Sequence, residues 1–145
     1  MHFEGDFTTP SPRRRVFDLV TDPNQVARCM PGFKKLDVRS ETEFDVVVGV
    51  GVAVIRGDIL LHFKTVEREP PSRVKLLAHG TGLGSAMDVE MVTELSDGPT
   101  GGTVMKWRAE ATIGGQLGSV SQGLIRPSAE RIIRDLFGCL GSKLK

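Results

Sequence analysis

Alternating apolar and polar residues dominate the chain from its amino terminus to about residue 113. The first such stretch is His2–Thr9, where Phe3 and Phe7 share one phase and Glu4 and Asp6 the other. A period of two residues places alternate side chains on opposite faces of a strand. The stretch therefore predicts a β-strand with one buried face.

Six further stretches show the same alternation and predict six more strands. They are Lys34–Arg39, Phe44–Val50, Val52–Glu67, Val74–His79, Met87–Leu95 and Met105–Ile113. The connections between them are short and rich in turn residues, as at Pro70-Pro71 and Gly80–Gly84. Short connections favour antiparallel neighbours, so we expect a seven-stranded meander.

Two short helices are predicted between the first and second strands. Ser11 is expected to be the N-cap of the first helix, with Pro12 at its first position. Asp22 and Pro23 repeat this arrangement for the second helix, which Pro31-Gly32 ends. These helices join the first strand to the rest of the sheet.

A long helix is predicted from Gly114 to Leu144, about 45 Å if continuous. Pro127 interrupts the hydrogen-bond pattern, so we expect two segments that meet at this residue. The second half carries an apolar stripe and should pack firmly. The glycine-rich first half fits either a weakly stabilised lid or close backbone contact with the sheet.

Together these elements predict one α+β domain over residues 1–145, because a curved sheet needs a partner layer for its apolar face. The formal net charge of +1 favours neither nucleic acid nor an anionic membrane as a partner. No stretch is apolar enough to span a membrane, and no signal peptide is evident, so we expect a cytosolic protein. Cys29 and Cys139 match no metal-binding spacing and are expected to be reduced, buried thiols.

Catalytic and metal-binding motifs are absent from the sequence. His2, His62 and His79 have no second histidine or fixed-offset carboxylate beside them. The glycines of Gly80–Gly84 precede a strand rather than a helix, which favours a hairpin turn over a phosphate-binding loop. We therefore expect no cofactor, no metal ion and no catalytic residue. The run Arg13–Arg15 fits a solvated basic turn or a contact with an acidic partner or anionic lipid.

Methionines and small residues on inward positions predict a cavity for an apolar ligand, with a plain packed core as the alternative. The expected cavity residues lie on the last strands, the junction after the second short helix and the first half of the long helix. They are Met30, Phe33, Met87, Val89, Met91, Met105, Trp107, Ala109, Leu117, Val120 and Leu124.

Several local motifs extend this pattern of elements along the whole chain. They are Phe3-Glu4-Gly5-Asp6-Phe7, Cys29-Met30-Pro31-Gly32, Ile55-Arg56-Gly57, Glu69-Pro70-Pro71 and Gly114-Gly115-Gln116-Leu117. The element order resembles the helix-grip fold of the START-like, or SRPBCC, superfamily, which includes birch-allergen-like proteins. The motifs resemble in particular the G-subunit family of carbon monoxide dehydrogenase.

This resemblance implies a non-catalytic protein with a hydrophobic cavity for a lipid or quinone. It also implies an accessory role beside a molybdenum-containing dehydrogenase, in maturation or in peripheral attachment to the membrane. Two alternatives stay open. A cyclase-type enzyme would need a polar group such as His79 or Arg56 inside the cavity. A protein-interaction module would use the exposed sheet face or Arg13–Arg15.

Overall fold

The protein is a seven-stranded antiparallel sheet curved around one long helix. A computed structural model describes residues 1–52, 54–120 and 122–144, without the side chains of Val52 and Gln122. The strands are β1 (His2–Thr9), β2 (Phe33–Val38), β3 (Glu43–Val52), β4 (Ile55–Glu69), β5 (Arg73–Gly82), β6 (Ser85–Asp97) and β7 (Thr103–Gly114). The helices are α1 (Arg13–Val20), α2 (Pro23–Cys29), α3 (Gly115–Gly118) and α4 (Gln122–Ser142), with a short 3-10 turn at Pro99–Gly101.

The strand order in the sheet is β1-β7-β6-β5-β4-β3-β2, so β1 and β2 are its two edges. The seven predicted strands are confirmed, and several run further than the alternation indicated. The predicted start of the fourth strand is wrong, because Val52 ends β3 and β4 begins at Ile55. The clearest extension is β5, which continues to Gly82. The turn to β6 is then only Leu83-Gly84, both with positive φ of 56° and 66°. Positive φ at both central residues suits the twist of a two-residue hairpin.

The two short helices begin differently from each other. Asp22 caps α2 as predicted, since its carboxylate accepts a hydrogen bond from the Asn24 N–H at 3.0 Å. The prediction for Ser11 is wrong, because Pro12 is the N-cap of α1 and no side chain caps it. The Ser11 hydroxyl instead donates to the Leu144 carbonyl oxygen at 2.6 Å. Ser11 thus ties the start of α1 to the carboxyl-terminal end of the chain.

The carboxyl-terminal helical region is divided, but not at Pro127. The single turn α3 ends at Gly118, α4 begins at Gln122, and Pro127 lies inside α4. The Gly115 φ of 74° and the close approach of Gly118 to the Ile113 carbonyl show why this turn cannot continue smoothly from β7. The chain thus turns sharply into α3, and Pro127 does not mark the division of the helical region.

The expectation of reduced cysteines is wrong in this structure. Cys29 at the end of α2 and Cys139 near the end of α4 form a disulfide with a Cα–Cα distance of 5.5 Å. The sequence separation of 110 residues hid this pairing, because only the packing of α2 against α4 brings the two residues together. The disulfide links the helical layer covalently across one side of the domain.

The interior holds two apolar clusters on the concave face of the sheet. One surrounds Phe44, Val46, Val48, Ile59 and Leu117, toward the end that carries α3. The other surrounds Val16, Phe17, Val74, Leu95 and Met105, where α1 and the end of α4 meet the sheet. The candidate site lies where these two clusters meet.

Candidate functional site

An apolar cavity of about 80 Å³ lies between the concave sheet face, the two short helices and the second half of α4. The sheet contributes Phe44, Phe63, Thr65, Val74, Leu76, Met91, Thr93 and Met105, and the helical side contributes Val20, Thr21, Asp22, Pro23, Val26, Met30, Leu136, Phe137 and Leu140. Phe44 and Phe63 stack on its wall with ring centroids 4.8 Å apart. Pockets for drug-sized ligands measure roughly 300–1,000 Å³. In this conformation the cavity is therefore smaller than an ordinary ligand pocket.

A wider groove of about 320 Å³ lies on the other side of Phe137, between the edge strand β1 and α4. Phe3, Phe7 and Trp107 give it an apolar side, and charged residues, Glu4, Asp6, Arg126, Glu130 and Arg134, also line it. Arg126 donates to the His2 carbonyl oxygen at 3.0 Å. The rings of Trp107 and Phe137 stack with centroids 5.1 Å apart. Because Phe137 lines both spaces, this aromatic pair separates the groove from the cavity.

Gly5 permits this position of the indole ring. A Cβ atom at Gly5 would lie 2.8 Å from Cζ2 of Trp107, which is closer than van der Waals contact allows. Gly5 and Trp107 are direct cross-strand partners on β1 and β7. The glycine of the Phe3–Phe7 motif thus leaves the space that the aromatic pair occupies.

The predicted cavity residues fall into several places in the structure. Met30, Met91 and Met105 line the cavity, and Trp107 lines the groove. Phe33, Met87, Val89 and Leu117 pack in the neighbouring apolar cluster. Ala109 is buried between Phe3 and Met91, its partners on the adjacent strands.

The last two predicted residues lie beyond β7. Val120 follows α3 and is half-buried. Leu124 is 56% exposed, so it does not line a wall in this structure. The start of α4 turns Leu124 outward and buries its neighbour Ile125 instead.

Sequence reasoning missed most of the helical wall. Val20 and Val26 come from the short helices, and Leu136, Phe137 and Leu140 from the second half of α4. The apolar stripe on this half predicts firm packing against the sheet, and it does not indicate that the helix also lines a cavity. The direction in which α4 crosses the sheet decides which half of the helix lines the cavity. The hydrophobic periodicity of a helix shows its apolar face but not this direction.

A network of ionisable side chains lies on the convex face of the sheet, away from the cavity. His62 bonds Asp45 through Nδ1 at 2.6 Å and Glu43 through Nε2 at 3.3 Å, and Arg39 donates to Asp45 at 2.6 Å. The hydrogen bond to Asp45 raises the pKa of His62, opposed by burial and assisted by Glu43. Burial alone would raise the pKa of Asp45, but the bonds from His62 and Arg39 outweigh it and lower the pKa.

This network predicts a pH dependence of stability. Because the pKa of His62 is higher in the folded protein, protonated His62 adds to the free energy of unfolding. This stabilisation is complete below the unfolded-state pKa of about 6.5 and is lost as the pH rises through the folded-state pKa. In chemical unfolding at pH 6 and pH 8, the wild type should lose more stability on this rise than His62→Gln does. The Asp45→Asn variant is the control, since it removes the principal cause of the shift. Equal losses in the wild type and His62→Gln would contradict the assignment.

The residues proposed for a catalytic alternative lie outside the cavity. His79 is exposed and bonds Asp88 at 2.8 Å on the convex face, and Arg56 is also exposed. Asp22 is the ionisable residue that the cavity wall holds, and its carboxylate is used as the cap of α2. Within the described parts of the chain, no buried side-chain polar atom lacks a partner and no cluster of potential metal ligands is present.

The basic run on α1 is engaged in local contacts. Arg13 pairs with Asp97 at 2.8 Å, and Arg14 with Asp18 at 3.3 Å. Arg15 donates to the Lys143 carbonyl oxygen at 3.1 Å. The run therefore holds α1 against the sheet and the carboxyl-terminal end. None of the helices in the described ranges has the length and hydropathy to cross a membrane.

The architecture is shared with solved structures across the whole chain. A conserved protein from Geobacillus kaustophilus is 22% identical, with a TM-score of 0.91 over 99% of this chain and 95% of its own. A START superfamily protein from Mycobacterium smegmatis is 9% identical, with a TM-score of 0.75 over 99% and 96%. Ara h 8.0201 is 13% identical, with a TM-score of 0.72 over 99% and 97%. None of the curated proteins matches the chain.

These similarities confirm the predicted fold class, the α+β helix-grip fold. Residues 5–145 match the G-subunit family of carbon monoxide dehydrogenase, CoxG. The chain belongs to this family, as its motifs predicted. Family and fold together favour a domain that binds hydrophobic ligands.

Proposed function

We propose that this protein is a non-catalytic binding protein for an apolar molecule, a lipid or a quinone, that acts beside a molybdenum-containing dehydrogenase. The observation that carries the proposal is the largely apolar cavity beneath α4 together with the neighbouring groove, whose apolar side is formed by Phe3, Phe7 and the Trp107–Phe137 pair. Family membership supports a carbon monoxide dehydrogenase as the partner enzyme. In this proposal the protein also takes part in recruiting that enzyme to the membrane. An enzymatic function is less well supported, because Asp22 is the ionisable residue among those that line the cavity and its carboxylate caps α2.

The ligand occupies the cavity and the groove together in this proposal. The cavity alone is too small for such a molecule, whereas the groove reaches the lower bound of ordinary ligand pockets. Rotation of the Trp107 or Phe137 side chain would join the two spaces. Each apolar square ångström removed from water then contributes about 25 cal/mol to affinity, before the costs of ordering the ligand.

Trp107 is the single tryptophan of the chain. The tryptophan emission of the protein therefore comes from this site alone. A quinone bound beside the indole should quench the emission, so a titration with a short-chain ubiquinone analogue gives the affinity directly. Native mass spectrometry of the same samples counts the bound molecules. A stoichiometry near one per chain is the expected result.

Filling the cavity should weaken this binding. Val26 lies on α2 at the cavity wall, and Val26→Phe places a ring in the space that the ligand would use. We expect an affinity loss of about tenfold or more, equivalent to about 1.4 kcal/mol. Val38→Phe is the matched control, since Val38 is 47% exposed on β2 and remote from the cavity.

A second variant covers the case in which Val26→Phe does not fold. Leu136→Ala enlarges the same cavity from the α4 side and should increase the affinity for the quinone. Quenching that is equal in the wild type, Val26→Phe and Leu136→Ala would place the ligand elsewhere. Absence of quenching and of a bound species in the wild type would refute quinone binding.

A further inference from the structure

The two edges of the sheet differ in how well they are protected against the addition of another strand. β2 is six residues long, has a register shift between Phe33 and Lys35, and carries lysine at positions 34 and 35. Short length, irregular pairing and lysine are common ways in which proteins block an edge strand. β1 is eight residues long, pairs with β7 in an unbroken register and contains neither lysine nor proline. The edge of β1 is therefore a regular template for a further strand.

The backbone groups of Glu4 and Asp6 point away from the sheet. The Met1 amino group donates to the Ala111 carbonyl oxygen at 2.7 Å, and the Ala111 N–H donates to the Met1 carbonyl oxygen at 2.8 Å. Hydrogen-bonded pairs alternate along an antiparallel ladder, so the odd-numbered residues of β1 bond to β7 and the even-numbered residues face outward. Glu4 and Asp6 thus each offer one donor and one acceptor at the edge. Among the described residues, no backbone group outside the ladder bonds to them.

The helix α4 leaves this part of the edge open. It comes close to β1 near the two ends of the strand. At one end Arg126 donates to the His2 carbonyl oxygen, and at the other a Cβ atom at Gly141 would lie 3.0 Å from the Phe7 ring. The groove of about 320 Å³ lies between these two contacts. A strand could therefore lie beside residues 4–6 without displacing the helix.

The side chains of Glu4 and Asp6 form an acidic outer row on the convex face. Both are exposed, and His2, which precedes them on the same face, hydrogen-bonds Glu4 and a second glutamate on β7. The cross-strand partners of the two carboxylates on β7 are basic, Arg108 and Lys106. An added strand would lie directly beside the carboxylates, with these basic residues one strand further away. The outer row therefore favours lysine or arginine on the convex face of the added strand.

The groove face of an added strand would have different neighbours. Phe3, Phe7 and the aromatic pair Trp107–Phe137 form the apolar side of the groove. Its charged residues on α4 are Arg126, Glu130 and Arg134, and the first two pair with each other at 3.0 Å. Because successive side chains of a strand alternate between faces, the residue between two basic residues would lie opposite Gly5 and enter this groove. An apolar side chain is complementary to the aromatic rings there.

A second copy of this chain is a poor occupant of the edge. In the antiparallel register centred on Gly5, Glu4 of each copy would lie opposite Asp6 of the other. Like charges that lie directly opposite each other destabilise a strand pair. The same carboxylates attract a basic strand, so the edge discriminates between the two kinds of partner.

We propose that β1 binds an extended segment of a partner protein as an additional edge strand. Basic residues of this segment lie opposite Glu4 and Asp6, and an apolar residue between them enters the groove opposite Gly5. Backbone hydrogen bonds hold the segment, and the alternation of basic and apolar side chains gives the specificity. This protein-binding surface is an addition to the binding of an apolar ligand.

Peptide binding in the absence of quinone tests the proposal. The probe is a short peptide of alternating lysine and valine with blocked ends, and isothermal titration calorimetry measures its affinity. Glu4→Lys/Asp6→Lys should weaken this binding by about tenfold or more and should strengthen binding of the peptide in which glutamate replaces lysine. The matched control is Asp88→Lys/Glu90→Lys. These exposed carboxylates have the same spacing and change the net charge equally, but they lie on β6, which has a strand on both sides.

Methylation of the peptide nitrogens tests the strand geometry. The lysine N–H groups would face β1, so N-methylation of the lysines should abolish binding. The valine N–H groups would face solvent, so N-methylation of the valines should leave binding unchanged. In amide exchange measured by NMR, the peptide should slow exchange at Glu4 and Asp6 and leave Gly5, whose N–H already bonds to β7, unchanged.

The possible results decide between the proposal and its alternatives. Equal weakening in both double variants would reduce the effect to net charge and overturn the proposal. A lysine–valine peptide that does not bind the wild type, or binds equally in both methylated forms, would also overturn it. Protection of Glu4 and Asp6 that rises with protein concentration without peptide would show that a second copy occupies the edge. Because these samples contain no quinone, failure here and failure of the proposed function are distinguishable.

Discussion

Reduction of the Cys29–Cys139 disulfide is expected to lower the free energy of unfolding by about 4 kcal/mol. The bond closes a loop of 110 residues, so it restricts most of the unfolded chain. If a disulfide stabilises a protein by reducing the entropy of the unfolded chain, the stabilisation grows with the length of the closed loop. A loop of this length gives nearly the largest stabilisation that a single disulfide supplies. Urea unfolding with and without a dithiol reductant measures the difference. A whole domain is usually stable by only about 5–15 kcal/mol, so the change should be large.

The double variant Cys29→Ala/Cys139→Ala is the control for this prediction. Its unfolding midpoint should match that of the reduced wild type and should not respond to the reductant. A wild-type midpoint that is unchanged by complete reduction, verified by thiol titration, would show that the cross-link contributes nothing. Because α2 and α4 both line the cavity, the same reduction should also loosen the wall that Val26 and Leu136 form.

Replacement of Gly32 by alanine is expected to destabilise the fold by about 2–4 kcal/mol. Gly32 has a φ of 77°, and a Cβ atom there would collide with the backbone oxygen of Gly49. The two residues are held together by the Gly49 N–H, which donates to the Gly32 carbonyl oxygen at 2.8 Å. Alanine therefore combines an unfavourable backbone conformation with a contact that no side-chain rotation relieves.

Gly138→Ala is the matched glycine substitution. A Cβ atom at Gly138, within α4, would have no neighbouring atom within 4 Å. Alanine should stabilise the protein there by about 1 kcal/mol, the difference in helix propensity. Thermal and urea unfolding of the two variants should move in opposite directions. A Gly32→Ala protein with wild-type stability would contradict the close packing of the Pro31-Gly32 turn against β3.

The alternation of apolar and polar residues, together with the turn residues between the strands, was sufficient to predict the sheet. The alternation in Phe44–Val50 placed Phe44, Val46 and Val48 on the inward face, and all three are buried. Short turns with glycine and proline made an antiparallel meander the expected arrangement. Strand ends were less certain, because hydrogen bonding to a neighbour continues β5 to Gly82 past the end of its hydrophobic pattern.

The candidate site was predicted only in part. Met30, Met91 and Met105 were expected at the cavity and line it, since each lies on an inward position or beside a helix end that faces the sheet. Leu124 was expected there and is exposed. The wall contributed by Leu136 and Leu140 depends on how α4 crosses the sheet, which is set by contacts between residues distant in the chain.

The sequence by itself determined the class of fold, the seven strands, the cap of α2 and the family, because each depends on residues that are neighbours in the chain or on motifs in fixed order. The tertiary structure alone decided the pairing of Cys29 with Cys139, the break before α4 and the division of the apolar space by Trp107 and Phe137. These features depend on the distance between elements far apart in sequence. That distance is fixed by packing of the helices on the curved sheet, and no local pattern encodes it.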